Sequence, residues 1–408
     1  MKNGWKTEPL GHLCEFQRGL TYSKGDEVAA SDNVVLRANN IDLTTNLLDF
    51  GGLKYINDKV VVPESKKVKK GSLMICTASG SKSHLGKVAY IDRDYGYAFG
   101  GFMGMITPTN GLVPKYLFHL MTSDAYKDFI GELSDGANIN NLKFDDLKKF
   151  QVPHPKPEEQ QRIVGILGEA FEGIATAKAN AERNLQNARA LFESHLQSVF
   201  TQGGEGWIEK PLSELCDVKH GFAFKSEYFT ESGEYVLLTP GNFYESGGYR
   251  DRGEKQKYYC GQIPDGFILS EGDLLVAMTE QAAGLLGSPI LVPESGKFLH
   301  NQRLGLVTKK PGAPWTNEFF FHVFNTQAVR KELHKSASGV KVRHTSPAKI
   351  GEVVVAFPTN LSEQERIVSK LKSLSEETQH LAAVYERKLF TLDALKRSLL
   401  HQAFNGNL

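Results

Sequence analysis

The chain has 408 residues, too many for one ordinary core, so length alone implies two to four domains. Hydrophobic content of 40% and charged content of 23% fit a globular protein, and no apolar run nears the ~18 residues needed to span a bilayer. A formal net charge of +1 excludes wholesale attraction to polyanions, so any nucleic-acid role must rest on local basic patches.

The N-terminal "MKNGWKTEPLGHLCEF" carries no apolar signal core, and the expected location is cytoplasmic. Cys14, Cys76, Cys216 and Cys260 form no CxxC pair, which suits a reducing compartment and argues against structural zinc. "PLGHLCEF" reads as a short amphipathic helix before the first strand, with Cys14 on its core-facing side. Short β-branched or aromatic runs follow, such as "VVLRANNI" and "SLMICTA", broken by turn signals. They indicate a compact α+β domain with a short twisted sheet, closed by the proline-bearing linker "QVPHPKP".

Beyond that linker, "EEQQRIVGIL" opens a helix. Ile163, Leu167, Ala170, Ile174, Ala177, Ala181, Ala188 and Leu191 recur in steps of four and three, with Asn184 in the one vacant position, which is the seam of a coiled coil.

The chain then repeats itself. "GWKTEPLGHLCEFQRGLTYSKG" from Gly4 aligns with "GWIEKPLSELCDVKHGFAFKSE" from Gly206, matching Trp5/Trp207, Pro9/Pro211, Leu13/Leu215, Cys14/Cys216 and Gly19/Gly221. "EYVLLTP" and "DLLVAMT" are the strand-like runs of the second copy, and "VVVAFPTN" is its linker. A second helix opens on "SEQERIVSKL", with Ser362 the expected N-cap and Glu365 reaching back to it. Its seam is Ile367, Leu371, Leu374, Thr378, Leu381, Tyr385, Leu392, Leu395 and Leu399, with Lys388 in the vacant slot. A self-similar unit of this length decides the architecture. An alanine-rich seam buries little area unless bulky residues face it. The two helices, each about 40 residues by their pattern, are therefore expected to pair antiparallel under pseudo-twofold symmetry; dimerisation between two chains is the alternative.

Chemistry-bearing motifs are missing. "SGSKSHLGK" has five residues between Gly80 and Gly86 and Val88 after Lys87, so it fails as a phosphate loop. The chain has no Pro-Pro and hence no Asn/Asp-Pro-Pro-aromatic methyltransferase motif, and its histidines show no metal-ligand spacing. The expectation is a non-catalytic protein that binds and organises, with no catalytic residue and no metal site.

The order and duplication of "HPKPEEQQRIVGIL" and "FPTNLSEQERIVSKL", of "HGFAFKSEYF" and "SEGDLLVAMT", and of the helix ends "ESHLQSVFTQG" and "RSLLHQAFNGNL" resemble the DNA specificity subunit of a Type I restriction–modification system. The resemblance spans essentially the whole chain. It implies target-recognition domains at 1–155 and 206–358 and spacer helices at 156–202 and 360–406. Each domain would read one half of an asymmetric bipartite site on double-stranded DNA. The helices would set the gap and dock two modification (methyltransferase) subunits, with restriction subunits joining later. The resemblance further implies no cofactor on this chain, with S-adenosylmethionine, ATP and Mg on the partners, and no membrane. A non-catalytic protein-binding scaffold with two modules on a coiled coil is the alternative. Ile163, Leu167, Ile174, Leu191, Ile367, Leu371, Leu374, Leu381, Tyr385, Leu392, Leu395 and Leu399 are the expected helix-pairing and partner-binding residues.

Base reading needs polar or basic side chains on loops that reach base edges. "SGSKSHLGK" and "GANINNLK" offer Ser81, Lys82, Ser83, His84, Asn138, Asn140, Asn141 and Lys143 in the first domain. "TEQAAG", "HNQRLG" and "SGVKVRHTS" offer Gln281, Asn301, Gln302, Arg303, Lys341, Arg343 and His344 in the second. The competing readings are turn-forming asparagines and, for Lys341 and Arg343, the wet face of a strand.

Overall fold

The computed structural model describes residues 5–80, 84–135, 141–280, 284–339 and 341–408. It divides into two units, Met1–Glu182 with Glu386–Leu408, and Arg183–Tyr385. Two long helices, α1 (Pro157–Gln202) and α2 (Leu361–Asn405), run through this division, so each unit holds a globular domain, the start of one helix and the end of the other.

In the first unit β1 (Cys14–Arg18), β2 (Leu73–Cys76), β3 (Val88–Tyr90) and β4 (Met103–Pro108) form an antiparallel sheet in the order β1-β4-β2-β3. In the second, β5 (Cys216–His220), β6 (Leu274–Ala277), β7 (Pro289–Leu291) and β8 (Leu304–Lys309) repeat that order as β5-β8-β6-β7. Side chains alternate across a strand, and both faces here are covered. Leu73 and Ile75 join a core with Leu10 and Tyr116, while Met74 and Cys76 join another with Leu36 and Phe99. Leu274 and Val276 likewise part from Leu275 and Ala277. Two buried faces explain why "LMIC" and "LLVA" are unbroken apolar runs. Each domain adds a smaller four-stranded sheet containing one parallel pair, Val34–Leu36 with Ala98–Phe99, and Tyr235–Leu237 with Phe298–Leu299.

Three local expectations are corrected. The "linkers" are strands: Gln151–His154 pairs with Lys6–Pro9, and Val354–Pro358 with Trp207–Pro211, pinning each domain's end to its beginning. Prolines are tolerated in such two-stranded ribbons because one edge needs no N–H donor. Cys14 and Cys216 open strands, the amphipathic helices being the single turns Leu10–Leu13 and Leu212–Leu215 before them. The cap of α2 is Asn360, whose Oδ1 accepts the Ser362 N–H at 2.9 Å, so the helix starts before Ser362. Asn and Ser are comparable caps, and the sequence offered both.

The repeated phrase has a structural meaning. Gln160 and Gln364 are fully buried on the first turns of the two helices. Gln160 Oε1 accepts the Val113 N–H at 2.7 Å, and its Nε2 donates to Pro155 O at 2.8 Å and Gly111 O at 3.2 Å. Gln364 Oε1 accepts the Thr316 N–H at 3.0 Å, and its Nε2 donates to Pro314 O at 2.8 Å and Pro358 O at 2.9 Å. One amide thus locks each helix to its domain by satisfying three backbone groups.

Both units pair their helix segments antiparallel. In the first, Ile163 and Leu167 share a core with Leu400, Ala403 and Phe404, Phe171 lies under Lys396, and Lys178 pairs with Asp393 at 2.8 Å. In the second, Leu196 packs with Ile367 and Leu371. The far helix end enters each domain core: Phe404 meets Tyr116 at 5.2 Å, and Phe200 meets Phe319 at 5.3 Å.

Most of the expected seam is covered along both helices, Ala181, Ala188 and Thr378 included. Ile163, Leu167, Ile174, Ile367 and Leu371 are buried, and Leu374, Tyr385, Leu392 and Leu399 are half-buried. Leu191, Leu381 and Leu395 are not in it, being 50%, 41% and 46% exposed. A 3.5-residue pattern drifts on a helix of 3.6 residues per turn. The less exposed stripe instead advances through Ala188, Phe192, Leu196 and Val199, and through Leu392, Lys396, Leu400 and Ala403. Among the described residues no helix is long and apolar enough to cross a membrane.

Gln160→Met keeps the volume but leaves the Val113 N–H and two carbonyls unpaired. At ~1–3 kcal/mol per buried orphan, a loss of roughly 3 kcal/mol is expected, or about 6–12 °C in Tm; a Tm within 1 °C of wild type in calorimetry would show the lock to be dispensable.

Burial lowers the pKa of His119, His300 and His322 from 6.5 to about 4. The unfolded chain binds these protons near pH 6.5 while the folded chain resists until about 4, so their stabilisation is complete above 6.5 and is lost as pH falls toward 4. Tm should therefore drop between pH 7 and 5. His300→Phe, which installs the residue the first domain carries at that position (Phe99), should flatten the drop; identical slopes in the two proteins would refute the assignment.

Candidate nucleic-acid interface

In each unit one strand end gathers the loops. Past β2, the Thr77 N–H donates to Phe102 O at 2.9 Å, the Leu142 N–H donates to Thr77 O at 2.6 Å, and the Gly86 N–H returns to Cys76 O at 2.9 Å. Past β6, the Met278 N–H donates to Arg303 O at 3.0 Å, the Thr345 N–H to Met278 O at 2.9 Å, and the Gly287 N–H to Ala277 O at 2.8 Å. These bonds bring Thr77 and Gly86 beside Leu142 in the first unit, and Met278 and Gly287 beside Arg303 and Thr345 in the second. Loops carried on a rigid sheet end are where binding side chains concentrate.

Ser81, Lys82, Ser83, Asn138, Asn140 and Gln281 lie outside the described residues. His84 is half-buried and lines a cleft of about 710 Å³ with Tyr22, Lys24, Arg37, Asn39 and Phe102. Burial, and then Lys87, lower its pKa, which favours the neutral ring. Asn141 and Lys143 are exposed beside that loop, as are Lys341 and His344 at the corresponding place in the second unit. Gln302 and Arg303 are exposed on a turn, whereas Asn301 is buried, its Oδ1 accepting the Arg303 N–H at 3.0 Å.

Arg343 has a positioning role. It donates to His334 O and stands 3.7 Å from buried Glu280. Glu280 Oε2 in turn accepts the Gly284 N–H at 3.0 Å and the Leu286 N–H at 2.9 Å, while Arg330 donates to Gly284 O. A buried carboxylate with one oxygen bonded by two amides, and His334 and Arg343 at 3.5 and 3.7 Å from the other, ties the two sides of the loop together.

The sequence reading missed Tyr22, Lys24, Arg37, Asn39 and Phe102. Arg37 and Asn39 sit in "VVLRANNI", which reads as one strand but breaks after Leu36 into a 3₁₀ turn, Ala38–Asn40, held by buried Asn40. Phe102 was findable by extending the repeat, since "FGGFMG" and "HNQRLG" occupy the same turn and put Phe102 where the second domain has Arg303.

The family model for the Type I restriction modification DNA specificity domain matches twice, at residues 2–183 and 204–385. The Type I restriction enzyme StySPI specificity subunit of Salmonella potsdam is 26% identical over 100% of this chain and 90% of its own length. The EcoKI specificity subunit of Escherichia coli (strain K12) is likewise 26% identical, with the same coverage. Among solved structures, the HsdS subunit from Thermoanaerobacter tengcongensis shares the fold at a TM-score of 0.65 and 18% identity, covering 100% of this chain and 98% of that one. A chain from a study of assembly and conformational transition in the type I R-M system matches at a TM-score of 0.77 and 18% identity, covering 100% and 99%. With two specificity domains, two long helices and a duplicated loop cluster, the chain belongs to the family of Type I restriction–modification DNA specificity subunits.

Proposed function

We propose that each globular domain, 1–155 and 206–358, reads one half of an asymmetric bipartite site on double-stranded DNA, and that the spacer helices, 156–202 and 360–406, set the unread gap. The observation that carries this reading is the loop cluster. Both units gather the same loops at the same strand end, yet carry different side chains there, as two readers of two half-sites require. Direct reading of different half-sites by one scaffold produces a site without a palindrome.

The helices serve as the docking platform in the same reading. Leu191, Leu381, Val384, Phe390 and Leu395 are large apolar residues left exposed along them, Phe390 at 69%. They fit two modification subunits, with restriction subunits joining afterwards. In this division of labour the chain is non-catalytic and works in the cytoplasm, while S-adenosylmethionine, ATP and Mg bind the partners. Near-neutral charge suits a subunit whose DNA affinity is completed by its partners' basic surfaces.

Adenine methylation mapping tests this in cells that carry the chain and its neighbouring methyltransferase. A split, asymmetric methylated motif that disappears when residues 206–358 are deleted is expected. Methylation unchanged with and without the chain would favour a protein-binding scaffold instead.

A further inference from the structure

The first unit places Phe102, and the second Arg303, at the tip of one and the same backbone device. Met103 N–H donates to Gly100 O at 2.8 Å to close the first turn, and Leu304 N–H to Asn301 O at 2.9 Å to close the second. Each turn is tied to the strand opposite by matching bonds. Leu20 N–H reaches Phe99 O at 2.7 Å and Gly19 N–H reaches Met103 O at 3.0 Å; Phe222 N–H reaches His300 O at 2.9 Å and Gly221 N–H reaches Leu304 O at 3.3 Å.

The approach is so close that only glycine fits beneath it. A Cβ on Gly19 would stand 1.9 Å from Gly100 O, and one on Gly221 2.1 Å from Asn301 O. The flanks are buried as well, Phe99 and Met103 in one turn and His300 and Leu304 in the other. The first turn therefore presents one free side chain, Gly101 lying beside it, and the second presents Arg303 at the equivalent place with Gln302 next to it. Phe102 is 73% exposed, and Arg303 is exposed with no protein partner among the described residues. Both turns also hold the strand end at which the candidate loops meet, through Thr77 and Met278.

We infer that this turn is the specificity-determining finger of each domain: Arg303 reads a guanine in one half-site, and Phe102 packs on a thymine methyl in the other. The inference rests on the DNA-reading function proposed above and names the residues that discriminate. A guanidinium on a fixed turn suits the paired O6 and N7 acceptors of guanine, while a phenyl ring offers no hydrogen bond and suits the one apolar group in the major groove. A ring that instead wedged between base steps would kink the duplex from the minor groove, and the methylated motif separates the two, since a wedge selects flexible steps and not one thymine.

The test maps adenine methylation in DNA from cells that carry the full chain with its modification partner, as wild type and as Arg303→Ala, Arg303→Gln and Phe102→Ala. Both Arg303 variants are expected to relax one guanine position in one half-site, narrowing its preference roughly five- to a hundredfold, with the other half unchanged. Phe102→Ala is expected to relax one thymine in that other half. Variants that keep the wild-type motif, or that lower or abolish methylation equally at all sequences as loss of a phosphate contact would, overturn the inference. A wild-type chain that directs no split motif overturns the DNA-reading function itself, so the two failures are distinct.

Discussion

A buried primary amide at the start of each long helix is the interaction on which the rest of the molecule depends. Gln160 and Gln364 have no exposed surface, and each satisfies one N–H and two carbonyls from two separate chain segments. A glutamine carries donor and acceptor on one short rigid head, so it can bond both at once where a charged residue could not. The helix direction is thereby fixed relative to the domain that precedes it. The end of the other helix enters the same domain through an aromatic plug, Phe404 in the first core and Phe200 in the second. Each domain thus grips the start of one helix through an amide and the end of the other through an aromatic ring.

The repetition also explains an asymmetry of composition. A domain that sits on the start of one helix and the end of another must find complementary surfaces on both, and the duplicated chain supplies them by symmetry of sequence. The same stripe, offset by one repeat, is alanine-rich in α1 and bulkier in α2, with Ala181 and Ala188 matched by Tyr385 and Leu392. Small residues let a neighbouring backbone approach, while bulky ones bury more apolar area. Where a charged residue occupies the stripe, as Lys396 does, its stem stays useful: the ammonium lies over the Phe171 ring at 5.2 Å, and burial lowers its pKa.

Much of this was legible in the amino-acid order. The duplication, the two helices and the domain type were readable because long periodic segments and repeated phrases are strong signals. The failures were local and physical. The proline-bearing closures read as linkers because strand pairing at long sequence distance leaves no local trace; Lys6–Pro9 and Gln151–His154 meet across the whole domain. Leu191, Leu381 and Leu395 fit a heptad rule that the helix itself does not obey over twelve or so turns. At the interface, basic and amide residues in Gly-rich loops were visible, but Arg343 could not be told from a reader without seeing Glu280 and His334 beside it. Phe102 was passed over because base reading was sought among polar residues only.

The pairing of a shared framework with divergent tips has an energetic logic. Buried asparagines hold the 3₁₀ turns of both domains. Asn40 accepts the Arg37 N–H at 2.9 Å and donates to Asp49 O at 2.9 Å; Asn242 accepts the Thr239 N–H at 3.0 Å and donates to Gln256 Oε1 at 2.9 Å. Removing one member of such a buried set leaves its partners unpaired at a cost of ~1–3 kcal/mol, whereas exchanging an exposed turn residue usually moves stability by less than about 0.5 kcal/mol. Thr239, the counterpart of Arg37, donates its hydroxyl to Asn242 Oδ1 at 3.0 Å and belongs to the framework, whereas Phe102 and Arg303 are equivalent backbone positions whose side chains lie outside the framework's own bonds. Divergence at those positions changes what the surface can recognise while leaving the fold's stability nearly untouched, so specificity is free to vary on a scaffold that is not.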